Sequence, residues 1–355
     1  MNIDGQKLYY HTDRLEMRRL IPSLCFPIYV EVSPTTRCNS SCKFCAVDYV
    51  RKESKDLNVT NYITELYDLK SCGVKSIMFG GEGEPLLHTN INSLIHETWH
   101  VGIDVALTTN GTFLTRDFIN RNLRYLSWMK ISINGGDNES YNKVHGYGKN
   151  LKVFNCVLDQ VEDAIFIRNV DKLKVKIGVQ CILLPENCDS IENLYKKCCN
   201  IGVDYFVVKP YSHNNNSITQ EYKDMDYIPY IRQMQQLRSN FEQMKTPFIF
   251  RDEAFTAVAS DIKYERCLST PYFWAYISSF GDVWACSVNM KDERFKIGNI
   301  NDDSFMNIWF GEKRKNLIEI MKGYDSTQCR KACRMNKCNE FLWDLYNPDE
   351  HKNFI

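Results

Sequence analysis

The chain has 355 residues, with 44 lysines and arginines balanced by 44 aspartates and glutamates. That balance leaves no net field to draw it to nucleic acid or to an anionic membrane surface, and points instead to a small or neutral partner. No run of about eighteen apolar residues marks a membrane span, and the first thirty residues scatter charges where a signal peptide needs an apolar stretch. The expectation is a cytoplasmic chain acting on a small-molecule substrate, with no nucleic acid and no membrane partner. In such a compartment its 15 cysteines read as metal or cluster ligands where they cluster, and as small buried hydrophobes where they stand alone.

Residues 1–25 form an N-terminal extension without a clear pattern. From residue 26 short β-branched or aromatic runs alternate with longer amphipathic ones, the pattern of βα units around a parallel sheet. Strands are expected at 26–33, 76–81, 104–111, 128–135, 174–184 and 204–212. An intervening helix is expected over 60–73, where Ile63, Leu66, Tyr67 and Leu69 recur near the helical period and Gly73 offers a stop. Six such units predict an α/β fold, a partial (β/α)6 TIM-like barrel over 26–216. Residues 217–260 read as a helical bridge, with polar helices in 218–244 and a strand at 248–255. Residues 261–355 read as a small separate module with short strands and a helix over 304–323.

Directly after the first strand, "TTRCNSSCKFC" places Cys38, Cys42 and Cys45 on one tight loop. Three thiolates so spaced can converge on one soft metal centre. Structural zinc wants a fourth protein ligand, so a cubane iron–sulfur cluster with one iron open fits better. "GGEGEP" (80–85) ends the second strand, "TTNG" (108–111) the third and "SING" (132–135) the fourth, on the face where barrel enzymes build their sites. Lys209, Tyr211 and His213 end the sixth strand and are candidate substrate residues. In the C-terminal segment "GDVWAC" predicts a hairpin turn at Gly281-Asp282 into a strand ending at Cys286. Cys267 precedes it, and Cys329, Cys333 and Cys338 follow in "QCRKACRMNKCNEF". Four of these cysteines suffice to close either a 4Fe-4S cluster or a zinc site. Cys338 also falls on a helical apolar stripe with Met335, Phe341, Leu342 and Leu345, which reads as core.

The spacing Cys38-x3-Cys42-x2-Cys45, with Phe44 before the last cysteine, resembles the signature loop of radical S-adenosylmethionine (SAM) enzymes. The resemblance spans about residues 26–345. It implies a 4Fe-4S cluster whose open iron binds S-adenosyl-L-methionine. It also implies methionine contacts from Gly80, Gly81 and Glu82 or Glu84, and ribose and carboxylate contacts from Ser132 and Asn134, with Thr109 and Asn110 lining the same mouth. The C-terminal segment is similar to the family's SPASM and shorter twitch modules. Since five cysteines are present where a full SPASM pattern has seven, one auxiliary 4Fe-4S cluster is expected, with Cys267, Cys286, Cys329 and Cys333 as favoured ligands and Cys338 as a fifth candidate.

By the same resemblance, reductive cleavage of S-adenosylmethionine gives a 5′-deoxyadenosyl radical that abstracts hydrogen from a substrate carbon, and a flavodoxin or ferredoxin supplies the electron. The expected outcome is oxidation or epimerisation of a polyol, sugar or sugar nucleotide. Epimerisation would need a thiol donor, for which Cys181 and Cys188 are candidates. A peptide-modifying enzyme is the alternative, and a zinc-stabilised binding protein a remote one.

Overall fold

The computed structural model describes residues 6–50, 53–348, 350, 351 and 353. Its strands are β1 (Tyr29–Val32), β2 (Ser76–Phe79), β3 (Asp104–Thr109), β4 (Leu126–Ser132), β5 (Lys176–Leu183), β6 (Tyr205–Pro210), β7 (Phe248–Phe250), β8 (Trp274–Ile277), β9 (Asp282–Trp284) and β10 (Lys296–Asn299). They form one sheet in the order β10-β9-β8-β1-β2-β3-β4-β5-β6-β7. β1 to β7 are parallel neighbours in chain order, joined through helices such as Val59–Ser71 and Val153–Val170. This is the partial TIM-like barrel of the sequence reading, extended by β7.

The C-terminal segment, expected as a small module of its own, shares a sheet with the barrel. β8 pairs parallel with β1, and β9 and β10 continue antiparallel, so the segment prolongs the barrel's own sheet. The β8–β9 hairpin turns through Gly281, whose φ of +83° favours glycine; a Cβ there would lie 2.3 Å from Asn301 Nδ2. The expected helix over 304–323 is two, Phe305–Phe310 and Glu312–Met321, because Gly311 breaks it with extended backbone (ψ 160°).

Period-two alternation sorts each strand into a helix-facing and a barrel-facing side. On β4, Met129 and Ile131 are fully buried against the helices, while Trp128, Lys130 and Ser132 face the barrel's cavity. On β5, Ile177, Val179, Cys181 and Leu183 belong to the core, while Gln180 and Ile182 line the cavity. The N-terminal extension is tied down by Arg314, a fully buried side chain on Glu312–Met321. Its guanidinium donates to the carbonyls of Pro22, Ser23, Cys25, Trp309 and Pro271.

Candidate active site

The loop after β1 is held on three sides. Arg37 makes a two-pronged pair with Asp56, Nε–Oδ1 at 3.1 Å and Nη2–Oδ2 at 2.7 Å. The amides of Ser41 and Lys43 donate to the carbonyls of His145 and Val144 at the end of helix Asn138–His145. From the β2 end, the amide of Glu84 donates to Arg37 O at 2.8 Å. Gly83 makes that approach possible, since a Cβ there would sit 2.3 Å from Arg37 O and 2.5 Å from Thr35 O.

A polar network joins the strand ends. The buried Glu84 carboxylate accepts from Thr109 Oγ1 at 2.6 Å and from the amides of Asn110 at 2.7 Å and Leu86 at 3.1 Å. Burial outweighs these donors and pushes its carboxyl up to about 6. Asn110 Nδ2 in turn donates to Asn39 Oδ1 and Ser40 Oγ, inside the cysteine loop.

His145 braces the loop from the other side. Its Nε2 lies 3.2 Å from the amide of Asn134, which can only donate, so Nε2 accepts and the proton of the neutral ring sits on Nδ1. Nδ1 is 3.3 Å from Cys42 Sγ, and the ring therefore donates to that sulfur. Full burial agrees, holding the imidazole down to about 3 and hence uncharged.

One cavity of about 820 Å³ is lined by Cys38, Cys42 and Cys45 and by all five C-terminal cysteines, Cys267, Cys286, Cys329, Cys333 and Cys338. Burial raises the thiol pKa values of Cys329 to about 11 and of Cys333 and Cys338 to about 12, and that of Cys286 in the same direction. Proximity to Cys267 adds to the rise in all four.

Two family models match the sequence. One, described as the radical SAM superfamily, covers residues 32–198. The other, an iron–sulfur cluster-binding domain named SPASM, covers residues 267–339. The chain belongs to the radical SAM superfamily. A tungsten-containing aldehyde ferredoxin oxidoreductase cofactor-modifying protein of Pyrococcus furiosus is 24% identical over 331 residues, 88% of each chain. An S-adenosylmethionine-dependent nucleotide dehydratase of Lacinutrix mariniflava is 30% identical over 174 residues, 40% of this chain and 34% of that protein. In fold, Streptococcus suis SuiB bound to its precursor peptide SuiA superimposes with a TM-score of 0.67 at 16% identity, over 88% of this chain and 71% of that one.

The cofactors of this radical SAM enzyme are 4Fe-4S clusters and S-adenosylmethionine, and the donor set suits them. Among the described residues no three His, Cys, Asp or Glu side chains close on one point as ligands of a single metal ion would. A tetrahedral zinc with bonds of about 2.3 Å draws its sulfurs to about 3.8 Å from one another, whereas a cubane distributes them over separate irons. Thiols gathered round a shared cavity fit the second arrangement.

Of the residues expected to contact S-adenosylmethionine or line its mouth, Gly81, Glu84, Thr109, Asn110 and Ser132 line the cavity, as does Phe44 of the signature loop, a candidate cofactor-binding residue. Gly80, Glu82 and Asn134 do not. Glu82 turns toward the β8–β9 hairpin and accepts from the amide and hydroxyl of Ser279. Asn134 is a buttress, its Oδ1 accepting from Ile182 N at 2.6 Å while its amide orients His145. Lys209 and Tyr211 line the cavity; His213 lies behind, with Nδ1 3.3 Å from Tyr211 Oη. Cys181 is corrected outright. It sits on the helix-facing side of β5, fully buried, because odd-numbered positions there pack against the helices. Cys188 likewise does not reach the cavity. Cys338, read both as a core residue and as a fifth candidate ligand, packs against the core and also lines the cavity.

The motifs missed His145 and the inward charges Glu31, Lys130, Arg251, Arg330 and Arg334. The signal for Glu31, Lys130 and Lys209 was present, as charged residues inside strands that otherwise alternate with Val, Met or Ile.

Proposed function

We propose that this radical SAM enzyme abstracts hydrogen from a polyol, sugar or sugar nucleotide and completes an oxidation (dehydrogenation) rather than an epimerisation. The observation that carries this reading is the single cavity lined by both cysteine groups with polar side chains between them. When bound, S-adenosylmethionine and the two clusters supply the hydrogen-abstracting radical and a nearby one-electron acceptor. Cys38, Cys42 and Cys45 would hold the first cluster. Four of Cys267, Cys286, Cys329, Cys333 and Cys338 would hold one auxiliary cluster. Glu84, Thr109, Asn110 and Ser132 would receive the nucleoside.

Epimerisation needs a thiol to return hydrogen from the opposite face; neither Cys181 nor Cys188 lines the cavity, so that role would fall to the one C-terminal cysteine left off the auxiliary cluster, and the deuterium test below separates the two outcomes. Oxidation of an alcohol carbon instead sheds a proton along with the second electron. Tyr211, which lines the cavity and whose hydroxyl lies 3.3 Å from His213 Nδ1, offers that proton a way out. The phosphorylated substrate class in the name of the Lacinutrix mariniflava relative supports a small polar substrate. A flavodoxin or ferredoxin is the proposed reductant. No helix of the described residues is long and apolar enough to cross a membrane.

The test is an anaerobic incubation of the cluster-loaded enzyme with S-adenosylmethionine, reductant and a panel of polyols, sugars, sugar nucleotides and peptides in deuterated buffer. Dehydrogenation gives 5′-deoxyadenosine in step with a carbohydrate product two hydrogens lighter. A product of unchanged connectivity carrying one solvent deuterium would establish epimerisation. Turnover confined to peptides would overturn the proposal.

A further inference from the structure

The cavity wall carries more positive charge than its carboxylates can answer. Its basic residues include Lys130 on β4, Lys209 on β6, Arg251 just after β7, and Arg330 and Arg334 from the tail. Its carboxylates are Glu31, Glu84 and Glu253. Each of these is engaged. Glu31 is clasped by Arg334, with Nε 3.0 Å from Oε2 and Nη2 3.1 Å from Oε1. Glu253 pairs with Lys337 at 2.9 Å. Glu84 is turned to the donors of Thr109 and Asn110.

For Lys130, Lys209 and Arg330 the described residues place no carboxylate within ion-pair distance. The partners they do have are neutral: Arg330 Nε donates to Ser212 Oγ at 2.7 Å, and Lys130 Nζ lies 5.7 Å from the centre of the Trp128 ring. The cations also feel one another. Burial, and after it Lys130, Arg330, Arg251 and Arg334, drive the Lys209 ammonium well below its ordinary range. The indole N–H of Trp274, buried in the same wall, has no partner among the described residues.

Gathering Lys130, Lys209 and Arg330 in a desolvated space with no carboxylate in ion-pair contact is costly unless a ligand supplies counter-charge. A single carboxylate brings one charge. A phosphate or diphosphate brings two or more, with oxygens enough for donors arriving from four separate elements. Arg334, paired with Glu31, follows Cys333 and would stand nearest the charge of an auxiliary cluster, whereas Arg330 reaches across to Ser212 and Lys130 and Lys209 stand on barrel strands.

We propose that Lys130, Lys209, Arg251 and Arg330 form a seat for a phosphate or diphosphate group of the substrate. This deepens the small-substrate reading above and rests on it for the identity of the reacting part. The anchored group would fix which carbon meets the radical, as a remote handle orients a reacting centre.

The test measures binding without turnover. Cluster-loaded protein saturated with S-adenosylmethionine is titrated anaerobically with inorganic pyrophosphate, succinate and glucose, in wild type, Lys130→Met, Lys209→Met and the exposed control Lys196→Met. Iron content and thermal unfolding report folding. Pyrophosphate should bind at least tenfold more tightly than succinate, with no binding of glucose. Each cavity variant should weaken pyrophosphate at least tenfold, and the control should leave it unchanged. If one cavity variant fails to fold, the other decides. Absence of saturable pyrophosphate binding, or equal affinity in wild type and the folded variants, overturns the seat. So does iron loss in these variants with pyrophosphate affinity intact, since the charges would then serve the cluster. Glucose 1-phosphate and UDP-glucose, titrated in the same way, separate a sugar phosphate from a nucleotide as the source of the group. Pyrophosphate binding without turnover of any carbohydrate would refute the proposed reaction but not the seat; turnover of a neutral polyol without pyrophosphate binding would do the reverse.

Discussion

Replacing Lys130 by methionine should make the protein more stable while weakening its hold on anions. Burial, followed by the charges of Arg334 and Arg251, pulls the Lys130 ammonium from 10.5 down to about 8, with Glu31 opposing. A lysine lowered in this way binds its proton more weakly folded than unfolded. The penalty is therefore present in full below about pH 8 and fades as pH rises toward 10.5. That lowering corresponds to about 3 kcal/mol at pH 7.5. Methionine keeps the length and removes the charge, at the loss of a cation–π contact with Trp128 worth about 0.5–2 kcal/mol. The expected net gain is about 1–2 kcal/mol at pH 7.5, shrinking by about half the penalty at pH 9.5. Anaerobic urea unfolding of the cluster-loaded proteins at both pH values measures it. Pyrophosphate should raise the midpoint of the wild type more than that of the variant, because a ligand stabilises only the state that binds it. A variant less stable at pH 7.5, or a difference that does not change with pH, would refute the reasoning.

Four further outcomes follow from the geometry. Changing Cys38, Cys42 and Cys45 together to alanine should lower iron from about eight to about four per chain, leaving the auxiliary cluster. His145→Phe removes the donor to Cys42 Sγ and strands the Asn134 amide; a loss of about 1 kcal/mol of preference for the reduced cluster lowers its potential by about 43 mV, and His145→Gln, which keeps a donor and an acceptor, should restore most of it in an EPR-monitored redox titration. Gly83→Ala forces a Cβ into the carbonyls of Arg37 and Thr35 and should abolish S-adenosylmethionine binding by equilibrium dialysis, whereas Gly148→Ala, with its nearest contact at 3.7 Å, should not. Arg314→Met removes a donor from five carbonyls, of which Cys25 keeps Trp309 Nε1 and Pro22 keeps the Cys25 amide, and should destabilise by about 3 kcal/mol or more in denaturant unfolding.

The cysteine loop contributes its three thiols within eight consecutive positions, and the motif loops contribute Glu84, Thr109, Asn110 and Ser132 at strand ends. Local sequence suffices to mark such residues, because strand-end position follows from the alternation of βα units. Contacts between distant segments have no such local mark. His145 reaches Cys42 only because the helix ending at Gly146 folds against the cysteine loop, and nothing in "YNKVHGYG" announces it. Glu82 and Glu84, two residues apart in one motif, take partners on different segments, Ser279 of the β8–β9 hairpin and Thr109 at the end of β3, and nothing in the motif says which.

What the sequence by itself determined is the chemistry of the reagents: three thiols on one loop, a further group near the C-terminus, and parallel strands that carry polar ends to one face. These are matters of spacing and period, which a chain states locally. Tertiary structure alone decided that both thiol groups open into one cavity, that Cys181 turns away from it, and that Lys130, Lys209, Arg251 and Arg330 meet across it. Such convergence is set by long-range pairing, β8 beside β1 some 240 residues away in the chain (Trp274 beside Tyr29), and by the packing of the tail over the barrel, not by any single segment.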